Sequence, residues 1–167
     1  MSPSSQYYFE ANRAIIVTKL KYGYFVTLSD FDKISITMPA RRWNQLFKYE
    51  KEIDESLAKK DVKFREHIGS GYYVCVTSPY KCVQVRKFYY HADDKEERPT
   101  KKGFTFKLAE WERVKAISER IKQDYQEVAD EAVCSAGSDH YNQLGYIACF
   151  ECNPFRRFVY VGLAEPT

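Results

Sequence analysis

Lysine and arginine interleave with tyrosine along one stretch of this chain. Lys81, Lys87, Tyr89 and Tyr90 lie along or at the end of one strand-like run, and Tyr80 stands in the turn before it. Arg98, Lys101 and Lys102 follow in a polar stretch, the last beside Gly103. Ammonium and guanidinium groups neutralise phosphates, and aromatic faces stack on unpaired bases, so the pattern suits a single-stranded polyanion. Stacking contributes roughly 1–3 kcal/mol per base. A sparser set comprises Lys19, Lys21, Tyr22, Tyr24, Phe31 and Lys33. Tyrosine and phenylalanine in strands also serve as core or cross-strand packing, so the aromatics alone do not decide. The acids Asp93, Asp94, Glu96 and Glu97 share the stretch and weaken its positive field.

A second chemistry is written in the tail as Cys134-x5-His140-x8-Cys149-x2-Cys152. Four sulfur and imidazole ligands suit tetrahedral zinc, and Cys-x-x-Cys is a common half-site. The other half is irregular, and spacing alone matches often by chance. The expectation is therefore buried thiols, with no metal and no cofactor. The chain has five cysteines, an odd number, which favours free thiols in a reducing compartment. Catalytic signatures are absent: no phosphate-binding P-loop, no Gly-x-Gly-x-x-Gly, no His-Glu-x-x-His and no Gly-x-Ser-x-Gly. His67, His91 and His140 are scattered, so no enzyme is expected.

The chain that must position these residues has 167 of them, 44% hydrophobic and 16% aromatic, enough for a real core. That balance excludes disordered and collagen-like chains. No apolar run nears the roughly 20 residues of a membrane helix. Met1 to Gln6 lacks a signal-peptide pattern, so a soluble, non-secreted protein is expected. The net charge is only +3, but it is unevenly spread. Residues 13–60 hold 10 Lys/Arg against 6 Asp/Glu, residues 71–127 hold 12 against 9, and residues 128–167 hold 2 against 5. A modest total thus covers two basic blocks and an acidic tail.

The two blocks share a pattern. Aligning Trp43 with Trp111 sets Ile36 against Phe104 and Met38 against Phe106. Each pair reads as a short strand that runs directly into a helix. The helical stripes are Trp43, Leu46, Phe47, Ile53, Leu57 and Trp111, Val114, Ile117, Ile121, Tyr125, Val128. Pro39 suits a first helical turn. Both tryptophans are expected in a helix-pair core. Strands are predicted at 14–20, 24–29, 72–77 and 82–90, with a loop from His91 to Lys102. Residues 145–151 and 157–162 suggest a C-terminal hairpin around Asn153-Pro154. The boundaries predicted are a first unit at 8–60, a linker at 61–71 ending in flexible Gly69-Ser70-Gly71, a second unit at 72–130, and a tail at 131–167.

Tyr73-Val-Cys-Val, Lys81 to Tyr90, Arg98-Pro-Thr-Lys-Lys-Gly-Phe-Thr-Phe and Trp111 together resemble the C-terminal domain of the transcriptional coactivator positive cofactor four. The resemblance covers residues 72–127 and, more weakly, 33–57, where the long basic loop is missing. It implies an α+β fold of two tandem units, each a curved antiparallel sheet followed by a helix, paired as an intramolecular pseudo-dimer. It also implies single-stranded DNA binding with little sequence specificity, in transcription regulation or replication. Nucleic-acid contacts would fall on Tyr80, Lys81, Lys87, Tyr90, Arg98, Lys101 and Lys102, with Lys19, Lys21, Tyr22 and Lys33 as first-unit candidates. Alternatives are a protein-interaction module of the same fold and an RNA-binding variant. Expected partners are single-stranded DNA or RNA and transcription or replication proteins, with no membrane, for a monomeric pseudo-dimer or a homodimer. A nuclear location is expected, or a cytoplasmic one for a viral or bacterial protein.

Overall fold

The computed structural model describes residues 4–31, 33–77, 80–136, 140 and 148–155. Strand β1 (Ser4–Glu10) buries Tyr7 and Phe9 and exposes Tyr8 between them. It pairs with β2 (Arg13–Leu20), followed by β3 (Gly23–Asp30) and β4 (Ser35–Pro39), in one antiparallel sheet ordered β1-β2-β3-β4. The second sheet repeats that order with β5 (Lys63–Gly69), β6 (Tyr72–Thr77), β7 (Tyr80–His91) and β8 (Glu96–Lys107). The last strand of each sheet turns directly into a helix. Pro39 closes β4 and caps α1 (Ala40–Lys48), one residue before the helical turn expected for it. Lys107 closes β8 and caps α3 (Leu108–Asp124), with its backbone N–H held by Glu110 at 2.9 Å. The fold is thus α+β, with two successive sheet-then-helix units, as the sequence pattern implies.

Three segments differ from expectation. Residues 61–71 are not a linker: most of them form β5, and Gly69-Ser70-Gly71 is a tight turn with positive φ at all three residues. Most of residues 91–102 are not a loop either: only 92–95 turn between β7 and β8. Ladder pairing continues through Phe88↔Pro99 and Tyr90↔Glu97 past an irregularity at Arg86/Phe88, so the basic stretch lies on a strand. Each helix is also broken at a tyrosine. Tyr49 separates α1 from α2 (Glu50–Leu57), and Tyr125 separates α3 from α4 (Gln126–Ala129). Tyr125 leaves the helical region (φ −133°, ψ 87°) because its side chain is held by the first sheet: its hydroxyl bonds Ser5 and its ring sits 5.5 Å from Tyr24. The expected hairpin falls largely outside the described residues. Residues 148–155 are not strand, and Asn153 donates to the Cys149 carbonyl at 2.8 Å.

Both units contribute to one core. Ile36 and Met38 of β4, and Phe104 and Phe106 of β8, are all buried, as their aligned positions require. Trp43 and Trp111 are buried in it too, and Phe47 lies between them at 4.6 and 5.5 Å. Trp111 satisfies its indole N–H on Asp54 of α2 at 2.9 Å. Helix α3 in turn lies on the first sheet: Arg113 donates to the Phe9 carbonyl at 2.6 Å, and Tyr7 donates to Asp124 at 2.7 Å. No helix among the described residues is long and apolar enough to cross a membrane.

Candidate nucleic-acid interface

Strand alternation puts every second residue of a sheet on the face away from the helices. In the second sheet the inward rows are apolar at their centre, with Val74, Val76, Val83, Val85, Phe104 and Phe106 buried, and carry Glu66 and Lys87 toward their ends. The outward rows follow from the register. One is Arg65, Cys75, Gln84 and Thr105, and the next is His67, Tyr73, Arg86 and Gly103. Cross-strand neighbours on one face come close enough to act together. Lys63, Arg65 and Arg86 line one groove on this face, of about 540 Å³, with Cys75, Phe88 and Pro99.

The cations here sit on aromatic rings. The Arg65 guanidinium lies 5.1 Å from the Tyr73 centroid and 5.0 Å from that of Phe88. Such contact fixes a guanidinium without consuming all of its donors. Arg86 donates to the Thr100 carbonyl at 2.9 Å and to Gln84 at 3.3 Å. Its guanidinium occupies the space above Gly103, where a Cβ would come within 2.4 Å of Cζ. Glu97 tempers the charge, accepting from Tyr73 at 2.7 Å and standing 3.5 Å from Arg65. Burial pushes the Cys75 thiol up to about 11, so it behaves as groove lining.

The residues expected from sequence are spread over several places. Tyr80 opens β7, and Lys81 follows it, exposed. Lys87 and Lys102 come together over the Tyr72 ring, at 5.0 and 5.9 Å. Lys87 also donates to the Ser70 carbonyl, and burial, with Arg42 and Lys102 nearby, lowers its pKa below the usual lysine value. Tyr90 stacks on Phe155 of the tail, with centroids 6.1 Å apart. Arg98 pairs with Asp94, while Lys101 is exposed on β8. Lys19, Lys21 and Tyr22 gather at the β2–β3 turn, where Tyr22 is 87% exposed. Lys33 lies apart from them, beside Lys107 in a cleft between the two sheets.

Sequence reading missed Lys63, Arg65, Tyr73 and Arg86. For Arg86 the signal was there in alternation, since Gln84 and Arg86 flank buried Val85; around Arg65 it was absent, because Glu66 beside it is itself charged and exposed. The outer face of the first sheet differs in character. Its rows, Gln6-Ile16-Thr27-Thr37 and Tyr8-Ala14-Ser29-Ser35, carry no charge.

These features define an α+β protein of two sheet-and-helix units with one cation-bearing sheet face. Residues 80–117, which span β7, β8 and the first part of α3, match the family model of Transcriptional Coactivator p15 (PC4). The resemblance of this segment is thus to a family of transcriptional coactivators. No curated protein and no solved structure matches the chain.

Proposed function

We propose that the chain is a non-catalytic single-stranded DNA-binding protein that acts in transcription in the nucleus, and that its two units descend from a duplicated coactivator domain. The observation that carries the reading is the coincidence of the family match over β7, β8 and α3 with the Lys63-Arg65-Arg86 groove on the same sheet. A cationic groove floored by aromatic rings binds a strand through its phosphates and stacks its bases with little regard to sequence. Lys101, in step with outward Gly103, extends the basic surface along β8, and Lys102 with Lys87 over Tyr72 forms a separate basic patch.

Fluorescence anisotropy with a labelled single strand of ~20 nucleotides and the matching duplex tests this, because a strand of that length spans one binding site. Preference for the single strand is expected, with affinity falling as salt rises. The variant Arg65→Ala/Arg86→Ala should bind at least about tenfold more weakly, with a salt slope shallower by about 0.7 for each phosphate no longer neutralised. Tyr90→Ala/Lys101→Ala/Lys102→Ala measures the other candidate surface in the same assay. Unchanged affinity in both variants would overturn the site. A second reading, a protein-interaction module, is favoured by the uncharged outer face of the first sheet. Absence of binding to either probe at low salt would select it.

A further inference from the structure

Outside the sheets, the tail brings together the four residues spaced as a weak zinc pattern. Cys134 lies in a short 3-10 turn after α4, and Cys149 and Cys152 belong to the described turn at 148–155. With His140 they place one ligand atom each within 4.8 Å of one another. The Cys134 sulfur is 3.7 Å from that of Cys149 and 3.9 Å from the His140 Nε2. Tetrahedral zinc, with bonds of about 2.3 Å to sulfur and 2.0–2.1 Å to nitrogen, sets ligand atoms about 3.6–3.8 Å apart. A disulfide requires about 2.05 Å between sulfurs, and all five cysteines are free.

The surroundings are built for the same purpose. The Cys152 backbone N–H points at the Cys149 sulfur at 3.5 Å, a contact that orients and supports a thiolate ligand. Three thiolates around one divalent ion leave a net negative centre, and Arg41, Arg42 and Lys48 line the cleft that Cys134 and Cys152 share. Glu151, between the two ligands of the Cys-x-x-Cys turn, is clamped by Arg42 at 2.8 and 2.9 Å. Its carbonyl accepts from Ser70 of the β5–β6 turn at 2.7 Å. The turn that carries two ligands therefore touches α1 of the first unit and the β5–β6 turn of the second.

We propose that Cys134, His140, Cys149 and Cys152 bind one structural zinc ion, which pins the tail across both units. On binding, the thiols release their protons to solvent, and His140 coordinates as neutral imidazole. A closed set of four protein ligands leaves no position for catalysis.

The full chain, produced with zinc available and gel-filtered into metal-free reducing buffer, is assayed by elemental mass spectrometry. About one zinc per chain is expected, as one closed four-ligand site requires. Cobalt exchanged for zinc should show the visible absorption of a tetrahedral thiolate site. Cys149→Ser and Cys152→Ser should lose most of the metal, and Cys82→Ser, whose sulfur lies on β7 outside the cluster, should keep it. If the ligand variants fail to fold, the zinc content and cobalt spectrum of the native chain decide. Metal content near zero without a cobalt band would overturn the proposal. So would a Cys134–Cys149 disulfide in the native protein, or zinc that persists in both ligand variants.

Discussion

Arg86 shows how one side chain depends on what its neighbours lack. Its guanidinium lies where Gly103 has no Cβ, and its donors reach Thr100 and Gln84. The same outward row holds His67, whose Nε2 accepts the Gly71 N–H at 3.0 Å. That bond requires neutral imidazole. Burial holds the His67 pKa below its ordinary value, against Glu151 and Glu97, which raise it, and with Arg42 and Lys87, which lower it further. The sign follows. Above the ordinary value of about 6.5 both folded and unfolded chains carry neutral His67, and its full contribution is present. As pH falls below it, the unfolded chain takes a proton that the folded one resists, and stability is lost down through the folded value. Urea midpoints at roughly pH 7.5 and 5.5, on either side of the ordinary value, should therefore fall further apart in the native chain than in His67→Gln. Equal falls would remove His67 as a cause.

At the scale of elements, the β5–β6 turn sets both a register and a docking point. Its two central residues, Ser70 and Gly71, have φ of 51° and 81°, the geometry that matches the twist of a two-residue hairpin. Gly71→Ala puts a Cβ in the left-handed region and should cost about 1–2 kcal/mol, read as a lower urea midpoint. An unchanged midpoint would show that the turn relaxes freely. The same turn marks the border of what sequence reading reached. Strands with regular apolar alternation, such as β2, β3 and β6, were legible, as were the strand-to-helix steps before Trp43 and Trp111. The first strand of each sheet was not. β1 reads Ser-Ser-Gln-Tyr-Tyr-Phe-Glu and β5 reads Lys-Phe-Arg-Glu-His-Ile-Gly, both edge strands with few fully buried positions. Missing β5 hid Arg65 inside a supposed linker. The helix breaks at Tyr49 and Tyr125 were equally hidden, because the partners of Tyr125 lie in the distant first sheet. The four tail ligands were legible as types, but only the folded chain shows that their atoms converge.

Over the whole molecule, the two units cohere through a buried ionic contact. Arg13 of β2 meets Glu110 of α3 at 2.5 Å, and Glu110 is 3% exposed. Arg13 also donates to the Thr105 carbonyl at 2.6 Å and lies 4.6 Å from the Phe104 ring centroid. Removing Glu110 leaves Arg13 with Asp30, 3.4 Å from its Nε, and the Thr105 carbonyl, so Glu110→Ala should cost about 1–3 kcal/mol, the cost of one lost charged hydrogen bond. Because Trp43, Phe47 and Trp111 join the halves in one core, that destabilisation should appear as a single denaturant transition reported alike by both sheets. Two separate transitions would show that the units unfold independently. The outer sheet faces are nevertheless unlike, one cationic and one uncharged, on halves that follow the same strand order. In an assembly of two identical chains, any substitution is felt twice, once on each face. Here one chain writes both faces, so each can change alone.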